Sequence, residues 1–139
     1  STIEKWNKIS KPQLELDGKW LMAGRVSKNK EQRRDITRPR KTMKFLKDGF
    51  FQWIAFNTET FQFFGSGGGY YSAEEERYTE YIEYFSRNNT SVGRVLPFEY
   101  SISGIDWHHQ GFSSKGDPIH EIWSTRLGHK MNKIIYDRS

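Results

Sequence analysis

From residue 18 onward, apolar and polar positions alternate in short runs, each bounded by a turn signal. Period two with no sustained period near 3.6 predicts strands rather than helices. The run 18–26 places Trp20, Met22 and Gly24 on one face. Residues 41–47 end at Asp48-Gly49, a strong two-residue hairpin signal. Residues 50–57 are almost wholly apolar, and 60–65 runs into the glycine-rich Gly65-Ser66-Gly67-Gly68-Gly69. Residues 77–85 alternate: Tyr78, Glu80, Ile82 and Tyr84 share one face, and Thr79, Tyr81, Glu83 and Phe85 the other. In 91–103, Phe98, Tyr100 and Ile102 fall on one side, and Pro97 marks a bulge or an edge position. Strands over 105–113 and 119–127 bring the expected total to eight.

Sequential antiparallel strands joined by short connections hide their edges most simply as an up-and-down barrel, with a two-sheet sandwich as the alternative. The expectation is therefore an all-β protein, a single antiparallel eight-stranded barrel domain over 14–127 with short extensions at both ends. Ile3, Trp6 and Ile9 suggest an amphipathic helix or ordered arm over 1–13, and Met131, Ile134 and Ile135 a tail over 128–139 packed outside the sheet. Residues 27–40, mostly polar and charged, read as a long loop.

Composition sharpens this picture. Of 139 residues, 35% are hydrophobic but 16% aromatic, so the core is expected to be rich in rings, which suit a pleated, half-buried surface. Cysteine is absent, which excludes disulfides, thiolate metal sites and a cysteine nucleophile. No apolar run approaches the roughly 20 residues of a membrane-spanning helix. The net charge of +5 is uneven: between Arg25 and Lys47 ten basic residues face only Glu31 and Asp35. Such a stretch reads as a solvated surface or as an anion-binding face. Nucleic-acid binding is not expected, because the aromatics fall in strands and no RNA-binding signature is present.

The order of Gly18-Lys19-Trp20, the glycine-rich segment before Tyr70, Tyr78-Thr79-Glu80-Tyr81-Ile82-Glu83 and Glu121-Ile122-Trp123-Ser124-Thr125-Arg126 resembles the lipocalin-like, or calycin, barrels. More narrowly it resembles an uncharacterised lipocalin-like domain family of exported bacterial proteins, mostly from the Bacteroidetes. The resemblance implies a periplasmic or secreted protein. It also implies a closure contact at Gly18 and Trp20, with Arg126 packed over the indole as a cation–π pair worth about 0.5–2 kcal/mol.

Candidate chemistry lies on the strands. Trp53, Tyr81, Phe98, Tyr100, Trp107 and Trp123 are candidates to line an apolar pocket, with Glu83, Glu121 and His109 as polar handles. Period two sends either Glu80 or Glu83 inward, where a carboxylate acquires a raised pKa or a partner. His108 and His109 face opposite ways, and the four histidines do not promise converging metal ligands, so no metal or cofactor is expected. The glycine run lacks a following Gly-Lys-Ser/Thr and reads as a flexible hairpin or bent strand rather than a phosphate loop. A binding role for a small apolar or amphipathic molecule is expected. The alternatives are an enzyme using Glu83 or Glu121 as acid/base with His109 as helper, and a scaffold with a packed interior.

Overall fold

Alternating side chains and tight turns build nine antiparallel strands in the computed structural model, which describes residues 15–87, 89–113 and 115–125. They are β1 (Gly18–Ser27), β2 (Lys30–Arg33), β3 (Arg40–Lys47), β4 (Phe50–Asn57), β5 (Phe63–Glu74), β6 (Arg77–Phe85), β7 (Val95–Ser103), β8 (Asp106–Phe112) and β9 (Pro118–Thr125). β1 and β3 to β9 form the expected eight-stranded barrel, closed where β1 pairs with β9, Trp20 opposite Thr125 and Arg25 opposite Glu121. The extensions over 1–13 and 128–139, and Arg126 and His129, lie outside the described residues.

β2 is an addition to the expected set. Its four residues, Lys-Glu-Gln-Arg, are all exposed, so no hydrophobic alternation announces it. Lys28 and Asn29 both take positive φ, 53° and 61°, the geometry of a type I′ hairpin turn. This hairpin has a consequence for the barrel wall. The first half of β1 (Gly18 to Leu21) pairs with β3, whereas its second half (Gly24 to Ser27) pairs with β2 instead. At that end β1 and β3 therefore part, and Arg40 at the start of β3 pairs only with Asn57 of β4.

The glycine-rich run is neither loop nor hairpin but the first half of β5, a strand of 12 residues. A register shift between Gly68 and Gly69 bends it against β6. A Cβ at Gly69 would collide with the backbone carbonyl of Tyr81. β7 starts at Val95 rather than at residue 91, because a 3-10 turn at Asn89–Ser91 and a positive φ at Gly93 come first. Pro97 sits where β7 pairs with Thr79 of β6 but precedes the β8 register, which begins at Phe98, so its missing N–H breaks no ladder on that side.

Inward positions fill one end of the barrel completely. Leu16, Trp20, Leu46, Tyr71, Tyr78, Tyr100 and Trp107 form a buried base, with Trp20 edge-on to Trp107 at 5.4 Å. The Trp20 indole N–H donates to the Leu16 carbonyl at 2.7 Å, and the Tyr71 hydroxyl donates to Asp17 at 2.7 Å. Trp20 is thus held in the base by a carbonyl and a second tryptophan. A second, outer cluster of Leu21, Ala23, Met43 and Ile122 includes Ile36, carried by the segment between β2 and β3.

Because the Gly69 contact is backbone against side-chain position, it cannot relax by a rotamer change. Gly69→Ala should lower stability by about 1–3 kcal/mol, the usual range for overpacking, read as a lower urea midpoint at unchanged m-value. An unchanged midpoint would show that the bend in β5 does not require glycine.

Candidate functional site

Above the packed base the interior opens into a cavity of about 520 Å³. Its floor is a buried charge network. Lys44 projects inward from β3, between Thr42 and Leu46 on the same face, and its ammonium donates to Glu80 Oε2 at 3.0 Å. The Tyr78 hydroxyl donates to the same oxygen at 2.7 Å. Both charged side chains are almost fully buried, 5% and 10% exposed. Rings complete the enclosure: the Lys44 ammonium lies 4.5 Å from the Trp123 ring centre, 5.2 Å from Trp107 and 5.8 Å from Tyr78. Burial, then the Glu80 charge, raises the Tyr78 hydroxyl well above its ordinary pKa, so it stays a donor.

His109 and Glu121 stand opposite each other on β8 and β9 beside this network. The His109 ring stacks on Phe98 at 3.8 Å and meets Trp107 and Tyr78 edge-on at 5.4 Å each. Burial, and next the Lys44 charge, hold the imidazole well below its ordinary pKa, so it is neutral. Among the described residues its Nδ1 has no hydrogen-bond partner, and neither does the Trp107 indole N–H. Glu121 lies deep in the barrel yet keeps part of its surface open to the cavity. Burial raises its carboxyl above the usual range, with Lys44 pulling the other way and Glu80 adding to the rise. The Trp123 indole N–H is turned toward this carboxyl but falls short of hydrogen-bond geometry.

The walls are apolar, with Phe51, Trp53, Ile82, Phe85, Leu96 and Phe98 around the opening. Trp53 leans across β5 because Gly67 has no side chain: a Cβ there would lie 2.5 Å from the indole nitrogen. The mouth is cationic, with Arg25, Arg34, Arg40 and Arg87 on its lining. A larger outer groove of about 810 Å³ runs past Thr79, Pro97, Gln110 and His120 on the barrel's flank, away from the buried charges.

Of the residues expected to form a pocket, Trp53, Phe98, His109, Glu121 and Trp123 do line the cavity. Tyr100 and Trp107 face inward but belong to the packed base. Tyr81 and Glu83 are placed on the outside: Tyr81 is 41% exposed, and Glu83 lies beside Phe45 and Phe50 on the outer surface. Glu80, not Glu83, is the inward carboxylate, because its face carries the buried Tyr78 and Ile82. His108 points outward and its Nδ1 meets His120 Nε2 at 3.0 Å. Lys44 was missed: Met43 and Phe45 flank it, so both faces of β3 look apolar, and only its register with Thr42 and Leu46 hints at its inward direction. Of the rim arginines, Arg25, Arg34 and Arg40 were visible only as part of the basic stretch, and Arg87 lies outside it. Among the described residues no helix is long and apolar enough to cross a membrane.

A family model described as a domain of unknown function (DUF4488) matches residues 15–133, which spans the whole described barrel. No curated protein matches the chain.

The buried pair gives a direct stability test. Lys44→Met or Glu80→Leu alone should cost about 3–5 kcal/mol, since each leaves a buried group without its partner. The double variant Lys44→Met/Glu80→Leu should recover most of that loss, giving a large coupling in a double-mutant cycle by urea unfolding. Single-variant losses below about 1 kcal/mol would show that water reaches the pair.

Proposed function

We propose that in this chain, which belongs to the DUF4488 family, the barrel interior binds a small apolar or amphipathic molecule. The observation that carries this is the cavity of about 520 Å³, apolar on its walls and polar at its floor and mouth. Ligand sites of roughly 300–1,000 Å³ have this mixed character, with apolar surface giving affinity and a few fixed polar groups giving orientation. The cavity speaks against a scaffold with a filled interior. The charge network supports binding too, because a floor locked by Tyr78, Lys44 and Glu80 does not have to be ordered when the ligand arrives.

The proposal extends to the fold family and the compartment. An eight-stranded closed barrel with the tryptophan of a Gly-x-Trp buried on its first strand supports a lipocalin-like assignment. Export to the periplasm or medium rests on the same resemblance and is checked by locating the native protein in cell fractions.

One observation favours an enzyme as a second reading. His109 and Glu121 face each other across β8 and β9 with their pKa values pushed in opposite directions, the neutral imidazole being a base and the carboxyl an acid. A turnover abolished by Glu121→Gln with ligand affinity retained would establish catalysis in place of simple binding.

A neutral, polarity-sensitive naphthalene ketone dye tests the site without relying on charge. It should bind one per chain with blue-shifted emission and accept energy from the cavity tryptophans Trp53 and Trp123. Leu96→Trp at the mouth and Ala55→Trp in the wall should each weaken it at least about tenfold, a loss of roughly 1.4 kcal/mol, while the fold survives in at least the former. Dye affinity unchanged in a folded plugged variant, or no bound dye at all, would count against an interior site.

A further inference from the structure

The mouth of the cavity carries cations that its surroundings leave unneutralised. In the basic stretch, the outward arginines are paired. Arg33 forks onto both oxygens of Asp106 at 3.0 and 3.2 Å and touches Glu31 at 3.0 Å, and Arg38 lies 4.0 Å from Asp35. Arg34, Arg40 and Arg87 line the cavity instead, and among the described residues none of the three has a carboxylate partner. Neutral groups hold them in place. Arg34 donates to the Arg40 carbonyl at 3.2 Å, and Arg87 donates from Nε to the Phe64 carbonyl at 3.2 Å. Arg40 stacks its guanidinium 4.1 Å from the centre of the Phe64 ring, so Phe64 anchors two cations at once. Gly65 makes room for this, since a Cβ there would lie 2.7 Å from Arg87 Nε.

These charges feel one another. Arg34 is held below its ordinary pKa, by burial first and then by the Arg40 and Arg25 charges. Like charges fixed around one opening create a positive potential that an anion relieves. The cleavage between β1 and β3, opened by the β2 hairpin, is what lets Arg34 and Arg40 turn toward the interior.

The floor has the opposite character. The Lys44 ammonium is already taken by Glu80 and enclosed by rings, and Glu121 is biased toward its uncharged form. Among the described residues no free cation waits there for an acid. Between mouth and floor the walls are apolar, and the four steps along β3 from Arg40 to Lys44 span about 13 Å at roughly 3.3 Å per residue.

We infer that the occupant is an amphipathic anion, its acidic head held at the mouth by Arg34, Arg40 and Arg87 and its apolar tail directed down toward Trp123 and His109. This rests on the interior being a binding site, as proposed above, and adds the sign of the ligand's charge and its direction. Guanidinium groups offer paired donors to carboxylate or phosphate alike.

Isothermal titration of the full chain with decanoate, decyl phosphate, decanol, decylammonium and inorganic phosphate tests it. Both decyl anions should bind at least about tenfold tighter than decanol, and decylammonium weakest, with the ranking of decanoate against decyl phosphate identifying the preferred head. Added salt should weaken the anions alone. The R34Q/R40Q variant should lose the anion advantage while keeping its affinity for decanol, and Arg87→Gln, at an exposed position, gives the same test should the double variant not fold. Decanol binding as tightly as decanoate, a variant that weakens both equally, or inorganic phosphate binding as well as decyl phosphate would each overturn the inference while sparing an interior site. Failure of decanoate and decanol alike to bind the wild-type chain would overturn the interior site itself.

Discussion

One buried ion pair decides where the packed part of this barrel ends. A lysine and a glutamate taken out of water are expensive unless each finds its partner and its remaining hydrogen bonds. Lys44 and Glu80 meet at 3.0 Å, Tyr78 donates to the same carboxylate oxygen, and three rings surround the ammonium. The arrangement tolerates little displacement. Below it Trp20, Leu46, Tyr78 and Trp107 fill the barrel completely, and above it the interior is open. The pair is better understood as fixing the geometry of a floor than as a source of stability, because apolar residues of the same shape would fill the space at no electrostatic cost.

The open end is shaped by a different device. A short, all-polar hairpin strand takes over pairing with the second half of β1, so that β3 stands apart from β1 where the basic segment crosses. On the far side the wall is β5, whose glycines leave no side chains of their own. Trp53 and Arg87 occupy that space instead, the one from β4 and the other from beyond β6. Both devices remove bulk or pairing at the mouth while leaving the base intact, which is why a filled core and a cavity coexist in a chain of 139 residues.

The barrel was legible in the sequence because its evidence is local. Asp48-Gly49 announced its hairpin, and the alternation in 77–85 and 105–113 announced strands at nearly their observed bounds. What escaped detection depends on partners distant in sequence. β2 contains nothing apolar to reveal it, and the glycine run of β5 left a flexible hairpin and a bent strand as open readings until its pairing with β4 and β6 made it a strand. The choice between Glu80 and Glu83 was settled by the burial of Tyr78 and Ile82, which share a face with Glu80. Tyr81 fell outside with Glu83, on the exposed face of the same strand. Lys44 could not be recognised at all, since a lysine between Met43 and Phe45 is ordinary until Glu80, 36 residues away, appears beside it.

The proposed ligand site inside the barrel would gather these features under one purpose: a fixed polar floor, apolar walls and a mouth lined by arginines with no carboxylate partner among the described residues. The most direct measurement is the set of intermolecular NOEs from the terminal methyl of ¹³C-labelled decanoate to the methyl-labelled protein. Contacts from that methyl to Met22 and Ile82, which line the cavity, are the predicted result. Contacts confined to Val95 and Ile102, exposed near the two ends of β7, would place the molecule on the outer surface and contradict the account.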